Sequence, residues 1–206
     1  MLQKTDLSKI QMATQLLNDA YYITYTYGEV QKQSLQSLLS SVKREWKMAW
    51  FKFCSHAMSR KDYSIALGSF WDSVDGATSD PNVSTSETVD WFKQADPKYL
   101  MSKEDYMVWE NLPEMVTVYR GASTSMGTKI VRNAPSWTLN ENTARLFQRR
   151  LVIPGRSIGH LYKAVVPKKY CLAYFNGRKE ETIILDVKSS AVKKRIELID
   201  VYGDDE

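Results

Sequence analysis

Between residues 110 and 115 the apolar residues of this chain change period. Upstream they recur every three or four residues, the repeat of one face of a helix. Downstream they gather in short runs dense in β-branched and aromatic side chains, which pack well on a pleated surface. Helices first and strands afterwards, without βα alternation, make an α+β fold. The expected organisation is a helical region over residues 1–110 and a β-rich core over residues 111–206.

In the first part, Leu7, Ile10, Ala13, Leu16 and Leu17 follow Asp6 at helical spacing. Leu35, Leu38, Leu39, Val42, Trp46, Trp50 and Phe53 form a longer apolar stripe ending near Arg60, read as core and not as a ligand box. A third helix is expected over Lys61–Val74, anchored by Ile65, Phe70 and Trp71. The stretch DGATSDPNVSTS, residues 75–86, has the composition of a loop. Thr85, Thr88, Val89, Trp91 and Phe92 then predict a short helix that stops before Pro97.

In the second part, MVTVYRG and SWTL read as strands, with one more expected around Lys129–Val131. NENTARLFQRR reads as a helix with Asn140 as N-cap, Glu141 in the first turn and Arg149 and Arg150 in the last, each charge matching the helix dipole. HLYKAVVP, CLAYF, TIILDV and RIELIDVY supply four further strands.

Composition narrows the function classes. No apolar run approaches the length of a membrane span, and MLQKTDLSKI lacks the apolar run of a secretory signal, so a cytoplasmic setting is expected. Cys54 and Cys171, with only His56 and His160 beside them, support neither a disulfide framework nor a zinc site, and no metal is expected. Residues 1–110 carry 12 Lys and Arg against 14 Asp and Glu, whereas residues 111–206 carry 16 against 10, a net charge of +6. A basic surface attracts phosphate, on a nucleotide or on nucleic acid, although a solvated Lys/Arg face is the commoner origin of such an excess.

Three short elements of the β-rich part carry candidate chemistry: Arg120-Gly121 at the end of a strand, Ser136-Trp137-Thr138 on the next, and Glu180-Glu181 before a third. Each alone has an ordinary reading, as a surface arginine, an everyday strand pattern and a solvated carboxylate pair. In this order, VYRG, SWTLNENTARLF and YFNGRKEETIIL together resemble the Arg-Ser-Glu class of mono-ADP-ribosyltransferases, especially small phage and bacterial members. The resemblance spans roughly residues 115–201 and rests most on a Ser-x-Thr strand followed at once by a helix with Ala144 and Phe147 facing inward.

That resemblance implies a split, mixed β-core binding NAD between two sheets, and transfer of ADP-ribose to a macromolecular acceptor, protein or nucleic acid, with release of nicotinamide. It assigns catalysis to Glu181 with Glu180 beside it, and NAD binding to Arg120, Gly121, Ser136, Trp137, Thr138 and Phe147. Elementary chemistry suits these residue types. Breaking the ribose–nicotinamide bond generates an oxocarbenium-like centre, which a fixed carboxylate stabilises in the transition state. A guanidinium offers a planar fork of donors to a diphosphate. A serine hydroxyl orients the carboxylate, and Trp137, Phe147 or Tyr174 offers a face for nicotinamide, although at least two of these aromatics are expected to be core.

The match is imperfect at the acidic motif. With Glu181 as the catalytic carboxylate, Lys179 stands where the family has Glu or Gln; a gap-free comparison through YFN instead puts Glu180 at the first acidic position and Thr182 at the catalytic one. Glu181 is the preferred assignment. Two other readings stand beside transfer: a basic nucleic-acid-binding module without catalysis, and an NAD glycohydrolase in which water is the acceptor. His160 follows the Ser-x-Thr strand and reads as a strand residue, and Cys54 and Cys171 as inert packing residues.

Overall fold

A computed structural model describes residues 39–40, 42–74, 83–123, 132–150, 152–153 and 156–203. The expected helix at Leu7–Leu17, Leu35 and Leu38 of the long stripe, most of the 75–86 connection and the strand expected at Lys129–Val131 lie outside them. The chain divides into two compact units, Met1–Ser84 and Thr85–Glu206.

In the first unit the long apolar stripe does not run as one helix. Helix α1, Lys47–Cys54, is flanked by short 3-10 turns at Arg44–Trp46 and Ser55–Ala57. Trp50, Phe51 and Cys54 are fully buried, whereas Phe53, expected in the stripe, is 53% exposed because the other three already occupy the packed side. Ser59 caps helix α2, Arg60–Ser73, by accepting a hydrogen bond from the Asp62 backbone N–H at 3.1 Å. Trp50 and Phe70 meet edge to face at 5.3 Å between ring centroids, the favoured geometry for aromatic quadrupoles. Arg44 Nε and Lys47 Nζ tie the end of α2 by donating to the Ser73 carbonyl and hydroxyl, each at 2.8 Å.

The second unit begins earlier than the change in sequence texture. Helices α3, Thr85–Gln94, α4, Pro97–Leu100, and α5, Lys103–Glu110, belong with the strands and not with a separate helical region ending at 110. Pro97 ends one helix and opens the next: it occupies the first turn of α4, where its missing N–H is no loss, while Asp96 accepts from the Lys98 N–H at 3.0 Å. The strands are β1, Met115–Ser123; β2, Ser136–Thr138; β3, Gly159–Pro167; β4, Cys171–Phe175; β5, Thr182–Leu185; and β6, Glu197–Tyr202. Helix α6, Glu141–Arg150, links β2 to β3, and α7, Ser190–Lys193, precedes β6. Helices α3 to α5, or the residues that end them, have ties to β4 or to the segment after β5. The Trp109 indole donates to the Cys171 carbonyl at 2.8 Å, the Tyr174 N–H reaches Met101 Sδ at 3.2 Å, and Lys93 pairs with Asp186 at 2.7 Å.

Among the described residues the strands form one six-stranded sheet in the order β4-β5-β2-β1-β3-β6, and every pairing is antiparallel. The mixed core in two separate sheets expected from the resemblance is thus corrected. A seam exists inside the single sheet instead: β1 pairs with β3 along its whole length, from Met115↔Pro167 to Ser123↔Gly159, but meets β2 only at Tyr119↔Thr138. Beyond that pair the sheet is held by a side chain.

Helix α6 lies directly on β1 and β3. A Cβ at Gly121 would stand 1.8 Å from the Ala144 carbonyl oxygen, and one at Gly159 would stand 2.2 Å from that of Gln148, so only glycine allows backbone to lie on backbone there. Asn140 caps this helix as expected, its Oδ1 accepting from the N–H groups of Asn142 at 2.9 Å and Thr143 at 3.3 Å. Of the inward pair expected on α6, Ala144 is fully buried, but the deep long residue is Gln148; Phe147 is half-buried. No described helix is long and apolar enough to cross a membrane.

Candidate functional site

The three sequence elements lie on neighbouring strands. Arg120 is on β1, Ser136 and Thr138 are on β2, and Glu180 and Glu181 lead into β5, the other neighbour of β2. β2 is therefore the strand through which they communicate.

On the β1 side, Arg120 Nη1 donates to the Ser136 carbonyl oxygen, replacing the ladder bond missing past Tyr119↔Thr138. The guanidinium is deeply placed, and its Nε is buried without a hydrogen-bond partner. Burial pushes its pKa down to about 10, which still leaves it cationic at neutral pH. A buried cation with an unmatched donor is costly unless something anionic or polar meets it.

On the β5 side, the Thr138 hydroxyl donates to the Glu180 carbonyl at 2.6 Å and accepts from the Asn140 N–H at 3.0 Å. The Leu139 N–H donates to the Glu181 carbonyl at 3.0 Å. The turn before β5 is closed by Asn176: its carbonyl accepts from the Lys179 N–H at 2.9 Å and its Oδ1 from the Glu181 N–H at 3.2 Å. Lys179 and Glu181 hold φ of 58° and 48°, left-handed conformations that favour glycine, although Gly177 stands in the same turn. Such strain, on the order of 1 kcal/mol or more per residue, persists where the surroundings over-determine the backbone. The asparagine of the Asn176-Gly177 turn pair was readable as a turn former; its second bond to Glu181 was not.

Strand alternation sorts the side chains by face. Tyr174, Ile183 and Trp137 are cross-strand neighbours on one face, and Arg120, one residue past Tyr119, falls on that face. Phe175, Thr182, Thr138 and Tyr119 form the adjacent row on the other face, which Ser136 shares. The Arg120 guanidinium thus meets the main chain of Ser136 and not its hydroxyl. Glu181 lies within electrostatic reach of Tyr174: burial raises the phenol pKa, and the charges of Glu181 and Asp105 raise it further. Glu180 leans toward Arg178, with Nε and Oε2 3.9 Å apart.

The remaining sequence candidates divide clearly. Trp137 is 2% exposed and its indole N–H is satisfied by the Ala134 carbonyl at 3.0 Å, so it is core and offers no free face. Tyr174 is equally buried, and Gly121 serves the α6 contact. Phe147, half-buried on α6, keeps part of its surface in solvent. His160 stacks on Tyr162 along β3 at 6.2 Å between centroids. Cys54 and Cys171 are buried free thiols, and burial pushes Cys171 up to about 12, far from a reactive thiolate. No group of three His, Cys, Asp or Glu suited to a metal occurs among the described residues.

The arrangement sets a deeply placed guanidinium on one side of a short strand and, on the other, a carboxylate-bearing residue whose main chain is strained and held at both its N–H and its carbonyl. No protein-family model, curated protein or solved structure matches the chain.

Proposed function

We propose that this chain is an NAD-dependent mono-ADP-ribosyltransferase, moving ADP-ribose to a macromolecular acceptor and releasing nicotinamide. The observation that carries the reading is the adjacency of three motifs distant in sequence: Arg120, the Ser136–Thr138 strand and the Glu180–Glu181 turn occupy β1, β2 and β5, linked by hydrogen bonds through β2.

In this reading the Arg120 guanidinium holds an oxygen of the NAD diphosphate or of the ribose next to nicotinamide. The Glu181 carboxylate faces the ribose carbon from which nicotinamide departs. As the C–N bond breaks, its electron pair leaves with nicotinamide and positive charge develops on the sugar; the carboxylate stabilises that charge in the transition state. The acceptor nucleophile then bonds to the same carbon and gives up its proton. Thr138 fixes the turn through the Glu180 carbonyl, and Asn176 holds the Glu181 N–H, so the backbone that carries the carboxylate is fixed before substrate arrives. The orienting role expected for the Ser136 hydroxyl is less well supported than that of Thr138, because Ser136 approaches the guanidinium through its main chain.

The test is incubation of the purified chain with NAD labelled on its adenylate phosphate, in the presence of protein and RNA from a cell extract. The expected result is nicotinamide release with label on a macromolecule, and a loss of about a hundredfold or more in Glu181→Ala. Absence of nicotinamide release, or an unchanged Glu181→Ala, overturns the proposal. Release without macromolecular label identifies a glycohydrolase, and salt-dependent RNA binding untouched by Arg120→Ala and Glu181→Ala identifies the non-catalytic module.

A further inference from the structure

Arg120 begins a row of side chains that runs away from the Glu180–Glu181 turn. Across the β1–β3 ladder it stands opposite Tyr162, and Ala122 stands opposite His160. Both rings lie on the face of the sheet away from α6, because that helix sits over the alternate residues Gly121 and Gly159. His160 and Tyr162 are stacked with 25° between their planes, and their partners on β6 are Val201 and Leu198, which are 39% and 49% exposed. A second guanidinium enters from the β6 side: Arg132 Nη2 donates to the carbonyl of Ile196, just ahead of β6, at 3.2 Å. Burial raises the Tyr162 phenol above its usual pKa while the charge of Arg132 pulls it back, so that cation lies within electrostatic reach of the hydroxyl.

Tyr162 is thus a phenol flanked by two cations, Arg120 from β1 and Arg132 from beside β6. The carboxylates of β6 do not neutralise them. Asp200 stands opposite Leu161 and Glu197 opposite Lys163, both on the α6 face, where Asp200 pairs with Arg145. Two planar forks of donors beside a hydroxyl match the oxygens of a phosphate, and a half-buried ring next to apolar side chains suits a purine. The strand order gives the direction. Glu181 leads into β5, Arg120 is on β1 and the two rings are on β3. From β5 to β3 is three strand spacings, about 14 Å, a span that an extended dinucleotide covers. With the nicotinamide ribose at Glu181 and the diphosphate at Arg120, the adenosine half has β3 and β6 ahead of it.

We propose that Arg132, Tyr162 and His160 form the adenylate seat of the substrate: Arg132 and the Tyr162 hydroxyl hold the phosphate of the adenosine half, and the purine lies on His160 beside Val201. The proposal rests on the transferase reading for the identity of the nucleotide, and it fixes which way NAD lies across the sheet.

Calorimetric titration of the full chain with ADP and, separately, with inorganic pyrophosphate tests the seat without any bond being broken. The wild type is expected to bind both, ADP the more tightly. Arg132→Ala is expected to weaken both roughly tenfold or more, because it removes a charge-assisted contact to phosphate. Tyr162→Phe keeps the ring and is expected to weaken both by a smaller factor. His160→Ala is expected to weaken ADP severalfold and leave pyrophosphate unchanged, a split that a merely structural role would not give. In NAD turnover Arg132→Ala is expected to raise KM with kcat nearly kept, since a contact remote from the breaking bond is the same in ground and transition states. A wild type that binds neither probe, or an ADP affinity indifferent to Arg132→Ala and His160→Ala, overturns the proposal. ADP bound through Arg132 and His160 without nicotinamide release supports the seat and removes the transferase reading. NAD cleaved with KM unchanged in both variants removes the seat and leaves the transferase reading standing.

Discussion

Glu181 and Gly121 meet opposite demands on the backbone. Glu181 holds a conformation suited to glycine, whereas Gly121 is a glycine because the Ala144 carbonyl leaves no room for a Cβ. Glu181→Gly relieves the strain at φ 48° and is expected to raise stability by about 1 kcal/mol in urea denaturation while abolishing nicotinamide release. A carboxylate that merely capped a turn would show no such opposition. Gly121→Ala forces α6 away from β1 and is expected to cost about 3 kcal/mol or more, seen as a lowered midpoint. Asp200 on β6 accepts from Gln148 and pairs with Arg145 of α6, and these partners hold its pKa below the usual carboxylate value. A group depressed in the folded state contributes stability at neutral pH and loses it as pH falls through the lowered value. Asp200→Asn is therefore expected to melt below the wild type at neutral pH, the gap closing in acid.

Among the elements, β2 has only three residues yet supports both halves of the candidate site. Thr138→Val keeps the shape of the side chain and removes both hydroxyl bonds. It is expected to cost about 2 kcal/mol in stability and to lower kcat more than it raises KM, because it loosens the carboxylate and not the Arg120 contact. The strands of this region were legible because MVTVYRG, CLAYF and TIIL pack β-branched and aromatic residues between clear turns, and α6 because Asn140 and its end charges are unambiguous. Helices α4 and α5 were not legible. Pro97 read as a stop when it is also a start, and α5 buries none of its residues fully, leaving little apolar period to detect. The order of the three motifs was visible in the chain, but which atoms meet was not: Arg120 finds a main-chain carbonyl, a group every residue owns and no sequence pattern marks.

For the molecule as a whole, sequence texture and compact units part company. The texture changes near residue 110, but α3 to α5 lie against β4 and the end of β5 through Phe92, Lys93, Met101 and Trp109. A fragment of residues 85–206 is expected to fold with dispersed amide resonances, whereas residues 111–206 expose the covered side of β4 and are expected to aggregate or stay unfolded. The seam between β1 and β2 bears on ligand binding as well. Within the sheet, β2 meets β1 through one residue pair and one guanidinium, with α6 packed against both strands. The Arg120 side chain thus serves as part of the sheet's own stitching, and a ligand that recruits it competes with the bond that closes the seam.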